Sequence, residues 1–176
     1  MVDLAEIQAA YYMVAATGVL VAAIYYVMTL RTTQRNMKAS LETRQAQLFM
    51  QIYDPFRGKE FQRAFVDVRS MKFKDYQEFI EKYGPEANPE LYTSQLTVGN
   101  YFEGVGMLVK RNLLDISFVE NLLSTHLVFF WEKMNPVYAE FRIRNNRPKA
   151  FEWVEYLYNE LARYEKGLEI KLSSTP

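Results

Sequence analysis

Residues Ala9 to Leu30 read AAYYMVAATGVLVAAIYYVMTL, a run without a single Asp, Glu, Lys or Arg. A helix needs roughly 20 consecutive apolar residues to cross the hydrocarbon core of a bilayer, so this run suffices for one crossing with some tilt. Tyr11 and Tyr12 stand near one end and Tyr25 and Tyr26 near the other. Rings with a polar tip favour the two headgroup levels. A core helix of a soluble protein would carry a polar side at this length, and none is present. The run predicts a transmembrane helix, and the lipid bilayer is the first partner it implies.

The flanks give a direction. Asp3 and Glu6 precede the run, while Arg31, Arg35 and Lys38 follow it. Basic residues are retained on the cytoplasmic side, which places the N-terminus outside and the body of the chain in the cytoplasm of a cell-membrane protein. A cleaved signal peptide would need a basic start, a shorter apolar core and a small-residue exit. The acidic start and Tyr25-Tyr26-Val27-Met28 do not fit that pattern, so the helix is read as a retained anchor. Ala15, Gly18 and Ala22 share one face at helical spacing. Small residues let a second helix approach closely in lipid, where burial supplies no driving force, so this face is a candidate for self- or hetero-association.

Composition limits the rest. After the anchor, a chain of 176 residues holds one ordinary domain. Lys+Arg and Asp+Glu both number 21, giving formal net charge zero, which argues against a nucleic-acid surface. There is no cysteine and one histidine, His126. Disulfides, thiolate metal sites and a cysteine nucleophile are thereby excluded, and no metal or other cofactor is expected. Thirteen Tyr and twelve Phe supply rings for a packed core.

Five segments follow: a short extracytoplasmic N-terminus (1–8), the transmembrane helix (9–30), a solvated helical stalk (31–53), a helical body (54–170) and a disordered tail (171–176). Asp54-Pro55 is expected to break the stalk, because proline restricts its predecessor and cannot donate within a helix. Phe61, Phe65 and Val68 mark a short amphipathic helix from about Lys59 to Met71. Asp75 and Glu78 resemble a capping box, and Tyr83-Gly84-Pro85 ends that next helix. Asn88-Pro89 opens a long helix to about Asn112, with Val98, Phe102, Val105 and Val109 as its inner face. Asp115 caps the following one, whose Val119, Leu122, Leu123, Leu127 and Phe130 face the core, with a kink or restart expected at Asn135-Pro136. After a turn at Asn145-Asn146-Arg147-Pro148, Phe151, Val154, Leu157, Leu161 and Tyr164 form the last stripe. No window alternates with period two, so the fold class is all-α: one N-terminal transmembrane helix followed by a bundle of about five helices.

Glu103 is the one residue with a chemical signature. Gly99, Glu103 and Gly106 lie on one helix face, and glycines on both sides of a carboxylate invite another backbone close. A buried carboxylate must be paired, hydrogen-bonded or protonated, and Arg142 and Arg144 are the candidate partners. A structural ion pair is weighed here against a proton-accepting or metal-ligating acid. No Glu-x-x-His pair accompanies it, so a di-iron bundle site is excluded. His126, on an apolar face, reads as a core or interface histidine with one hydrogen bond. The pairs Gly99/Gly104 and Gly104/Gly106 lack the lysine, third glycine and strand of phosphate loops. Ser117, Ser124 and Thr125 lack a nucleophile elbow. Trp153 and Tyr156 fall off the inner stripe of their helix and form a possible contact surface, as against a second packed side or a face resting on the membrane headgroups.

Five segments carry a resemblance. They are Phe49-Met-Gln-Ile-Tyr-Asp54, Tyr83-Gly-Pro-Glu86, Gly99-Asn-Tyr-Phe-Glu-Gly-Val-Gly106, Val109-Lys-Arg111 and Phe151-Glu-Trp-Val-Glu-Tyr-Leu-Tyr158. From Leu48 to about Leu161 the chain resembles the uncharacterised family known as domain of unknown function 4760. The resemblance implies a helical domain often tethered by one N-terminal membrane helix, and implies no activity. The poverty of catalytic groups leans away from an enzyme. It points to a non-catalytic, membrane-anchored interaction protein, an accessory or structural subunit among other membrane subunits. The alternative is a membrane-tethered sensor or enzyme with a small pocket around Glu103.

Overall fold

The structure, a computed structural model, describes residues 3–173. It contains six helices in the order α1 (Leu4–Arg57), α2 (Lys59–Ser70), α3 (Tyr76–Tyr83), α4 (Pro89–Lys110), α5 (Ile116–Arg144) and α6 (Glu152–Ser173), with no strand among the described residues. The all-helical expectation holds. The chain divides into two compact units, 1–44 and 45–176.

The first unit is the N-terminal part of α1. Asp3 opens it, accepting from the Ala5 amide through Oδ1 at 3.2 Å. The helix is long and apolar enough to cross a membrane. None of its apolar window is buried, and the Val14, Val19 and Tyr25 side chains are 74%, 70% and 72% exposed.

The second unit begins inside the predicted stalk. Phe49 and Phe56, on the last turns of α1, are core residues, and Phe49 stacks on Phe118 with ring centroids 4.8 Å apart. The solvated stalk expected to reach 53 therefore gives way to the body at Gln45. Pro55 does not break the helix where expected. It sits in the final turn of α1, where only one intrahelical hydrogen bond is forfeited, and the helix stops two residues later at Arg57. Pro136 is likewise accommodated inside an unbroken α5, flanked by the buried Met134, Val137 and Tyr138.

Caps fall where side-chain chemistry puts them. Asp75 accepts from the Glu78 amide at 2.9 Å, Asn88 from Leu91 at 3.0 Å and Asp115 from Ser117 at 2.8 Å. Glu78 reaches back one residue further than a regular capping box, to the Lys74 amide at 2.7 Å. Helices α4 and α5 end on Asn112 and Asn146, whose φ values of 55° and 50° lie in the left-handed region that asparagine tolerates. The tail expected from Lys171 is helical through Ser173; Ser174–Pro176 lie outside the described residues.

The predicted inner face of α4 is buried in full: Val98, Phe102, Val105 and Val109. So are Phe61, Phe65 and Val68 of α2, and Val154, Leu157 and Leu161 of α6. On α5, Val119, Leu123, Leu127 and Phe130 are buried, whereas Leu122 is 43% exposed and leaves the stripe. Helix α4 packs chiefly against α6 and α2.

The glycines of α4 explain how closely it approaches α6. A Cβ on Gly106 would collide with the Trp153 backbone carbonyl, whereas one on Gly104 meets nothing within 4 Å. Backbone of one helix therefore rests on backbone of the other at Gly106 and not at Gly104. Gly106→Ala is expected to destabilise the body by on the order of 1–3 kcal/mol, because neither main chain can yield cheaply. Gly104→Ala should stabilise it by about 0.5–1 kcal/mol through helix propensity. Denaturation of the full chain in mild detergent, followed through Trp131 and Trp153, checks the opposite signs.

Candidate functional site

Of the residues singled out in the sequence, Gly99, Glu103, Gly106, Arg142 and Trp153 meet where α6 begins. Its first residue follows Phe151, whose φ of 55° lies in a region costly for a bulky side chain. Phenylalanine offers no acceptor, so α6 has no cap of its own for the amides of its first turn. The Glu152 amide donates to the Lys149 carbonyl at 3.3 Å. The next two, Trp153 and Val154, donate to Glu103 Oε2 at 3.0 and 2.9 Å. A carboxylate on α4 thus caps α6 from across the bundle, and its charge is favourable at the positive end of the helix dipole.

The carbonyl side of the same turn is held by Arg142. Its Nε donates to the Ala150 carbonyl at 2.7 Å and Nη2 to the Phe151 carbonyl at 3.1 Å, while Nη1 pairs with Glu155 Oε2 at 2.6 Å. The Phe151 ring stacks on Tyr138 at 3.9 Å and 14°, and closes over Gly99. Ring, guanidinium and carboxylate together fix the turn in its left-handed conformation.

This arrangement corrects the expected ion pair. Neither Arg142 nor Arg144 lies within salt-bridge distance of Glu103. Arg142 pairs with Glu155, and Arg144 with Glu140 at 2.7 Å while lying 5.1 Å over the Tyr76 ring. Backbone amides satisfy Glu103 because the glycine at 106 brings a helix terminus, not a side chain, within its reach. The carboxylate is half-buried instead of fully buried. Burial raises its pKa, the two amide bonds pull it down, Glu152 adds to the rise and Arg142 opposes it.

In the pocket expected around Glu103, the space beside both flanking glycines is filled. Tyr138 and Phe151 occupy the space beside Gly99, and the Trp153 main chain occupies that beside Gly106. A cavity of about 720 Å³ lies elsewhere, lined by Tyr76, Ile80, Gln95, Leu96 and Phe151 among others, and Glu103 does not line it. Sequence reasoning passed over Gln95, the one buried polar residue of the core among the described residues, at 3% exposure. Its signal was available: Gln95 precedes Gly99 by four on the same helix face.

Trp153 and Tyr156 are partly buried, edge to face at 6.3 Å, and Lys110 Nζ lies 4.7 Å from the Tyr156 ring centroid. They make a packed flank of the α4–α6 contact more than an open aromatic patch. Ala15, Gly18 and Ala22 are all exposed, and nothing lies within 4 Å of a Cβ built on Gly18. Arg31, Arg35 and Lys38 are exposed on the following turns of α1. Among the described residues, no three His, Cys, Asp or Glu side chains gather closely enough to hold a metal.

His126 has ring neighbours in place of the hydrogen bond expected for it. It sits 4.9 Å from Phe56, edge to face, and 4.6 Å from Phe65. Burial lowers its pKa, with Arg69 adding to the effect.

Two expectations follow. Glu103→Ala leaves two amides uncapped and should cost about 1–2 kcal/mol, whereas Glu103→Gln retains an acceptor and should cost less. Because the folded Glu103 pKa is raised, the wild type binds more protons folded than unfolded just above the ordinary glutamate range. Its stability therefore falls as pH rises through that window, a slope that Glu103→Gln removes. His126 runs the other way. Its depressed folded pKa means that stability, complete above the ordinary histidine pKa, declines as pH drops through it toward the folded value. His126→Phe should flatten that decline. Chemical denaturation of wild type and variants across pH 4 to 8 reads both.

The sequence pattern of the family described as Domain of unknown function (DUF4760) matches residues 13–161. The match starts inside the apolar run, well before Leu48, where the resemblance in the sequence begins. It takes in Glu103, Arg142 and the turn before α6 that both hold. No curated protein and no solved structure matches the chain. With most of its length covered, the chain belongs to the DUF4760 family.

Proposed function

We propose that this chain is a non-catalytic, single-span membrane protein that works by association, an accessory or structural subunit of a larger membrane assembly. The observation that carries the reading is the uncovered apolar length of α1. Its large side chains stand exposed through the whole run, and water would not tolerate such a surface. A bilayer and a neighbouring helix would. The acidic Asp3 and Glu6 before the run and the basic Arg31, Arg35 and Lys38 after it favour an N-terminus outside and a cytoplasmic body in the cell membrane.

The use of Glu103 supports the non-catalytic half of the reading. A carboxylate whose one oxygen already accepts from two helix amides is committed to structure. The Ala15–Gly18–Ala22 face is the surface proposed for association with a second copy or another membrane subunit, because small side chains let helix backbones come into van der Waals contact. The even charge balance gives nucleic acid no place among the partners.

Native mass measurement from a gentle detergent tests the proposal. The wild-type chain should travel with a second transmembrane chain. Gly18→Leu should release it while the chain stays in the membrane fraction, since the new side chain meets nothing in its own helix. A strict monomer, or an assembly indifferent to Gly18→Leu, contradicts the proposed role of that face.

A further inference from the structure

The 720 Å³ cavity beside Gln95 has the construction of a binding site, and nothing in the anchoring role uses it. Its volume falls within the range of small-molecule sites, roughly 300–1,000 Å³. The walls come from α3, α4, α5 and the turn before α6, all within the second unit. They are mostly rings and aliphatic chains, including Tyr76, Phe79, Leu96, Phe141 and Phe151.

One polar group stands fixed among them. Gln95 is 97% buried, and its Oε1 accepts from the Tyr138 hydroxyl at 2.9 Å. Tyr138 is itself clamped by Phe151 at 3.9 Å. That bond sets the direction of the amide and leaves Nε2 without a protein acceptor. No fully enclosed side-chain nitrogen or oxygen among the described residues lacks a partner, so Nε2 keeps its contact with the open space of the cavity. A locked donor facing a mostly apolar site selects an occupant with an acceptor, because one that displaces water without supplying it leaves the N–H unpaired at a cost of about 1–3 kcal/mol. Charge narrows the occupant further. Glu81 and Glu86 line the cavity, and no Lys, Arg or His does. An anion would meet two carboxylates and no counter-charge.

We infer that this cavity binds a flat, non-anionic molecule, its carbonyl oxygen accepting from Gln95 Nε2 and its body held between the rings of α3, α5 and Phe151.

Three probes of one shape test this on the full, isotopically labelled chain in mild detergent: 2-acetylnaphthalene, 2-ethylnaphthalene and 2-naphthoate. The readout is the Gln95 side-chain amide resonance, which partition of a probe into micelles does not move. 2-Acetylnaphthalene should shift it saturably. 2-Ethylnaphthalene, lacking the carbonyl, should bind about tenfold more weakly, and 2-naphthoate should be rejected. Ala87→Trp, at an exposed position on the rim, should block the cavity and abolish the shift. Gln95→Leu should erase the difference between the ketone and the hydrocarbon, read by probe contacts to Leu96. That variant also deprives Tyr138 of its acceptor, so Ala87→Trp decides the matter if Gln95→Leu does not fold. The inference is overturned if no probe binds saturably, if ketone and hydrocarbon bind alike to the wild type, or if Ala87→Trp leaves binding unchanged.

Discussion

The body of this protein depends on one carboxylate reaching across to a helix that cannot cap itself. Helix α6 starts after a phenylalanine in a left-handed conformation, with no serine, threonine, aspartate or asparagine in place to receive its first amides. Glu103 receives two of them from α4. The geometry works only because Gly106, on the same face, lets the Trp153 backbone lie against α4. A side chain there would hold α6 off and take its amides out of reach. The carboxylate and the glycine are two halves of one contact.

Around that contact the rest falls into order. Arg142 holds the carbonyls of the turn whose amide side Glu103 holds, so the left-handed Phe151 is restrained on both sides. Restraint turns its ring onto Tyr138, whose hydroxyl in turn orients Gln95. A chain of fixed groups thus runs from the helix junction to the wall of the cavity. The first unit is governed by a different constraint. None of its apolar window is buried, and the helix is long and apolar enough to cross a membrane.

Much of this was legible in the sequence, and the limits have physical causes. Helical periodicity exposed the inner faces of α2, α4 and α6, because Val98, Phe102, Val105 and Val109 can share a side only on a helix. Capping residues at 75, 88 and 115 located three helix starts. Pro55 misled, since tolerance of proline depends on whether neighbouring turns are held by packing, which local sequence does not report; at Pro136, of the kink or restart expected, the restart does not occur. Phe49 and Phe56 were missed as core because their burial is against rings far away in the chain, Phe118 and Tyr101 among them. Glu103 was found by its glycine neighbours, but its partners were not. Charge suggested an arginine, whereas the answer was a pair of backbone amides, which leave no mark on residue type. Gln95 was overlooked for a related reason: a neutral amide on an apolar face carries no charge to announce it.

The most direct test of the account is to follow the Trp153 and Val154 amide proton resonances of the full chain against pH. If Glu103 caps α6, both must shift together as its carboxyl ionises, with a single midpoint above the ordinary glutamate value, and both responses must vanish in Glu103→Gln. Amides that stay still through that range, or that titrate with separate midpoints, would contradict a shared bond to Glu103 and with it the junction on which this description of the body rests.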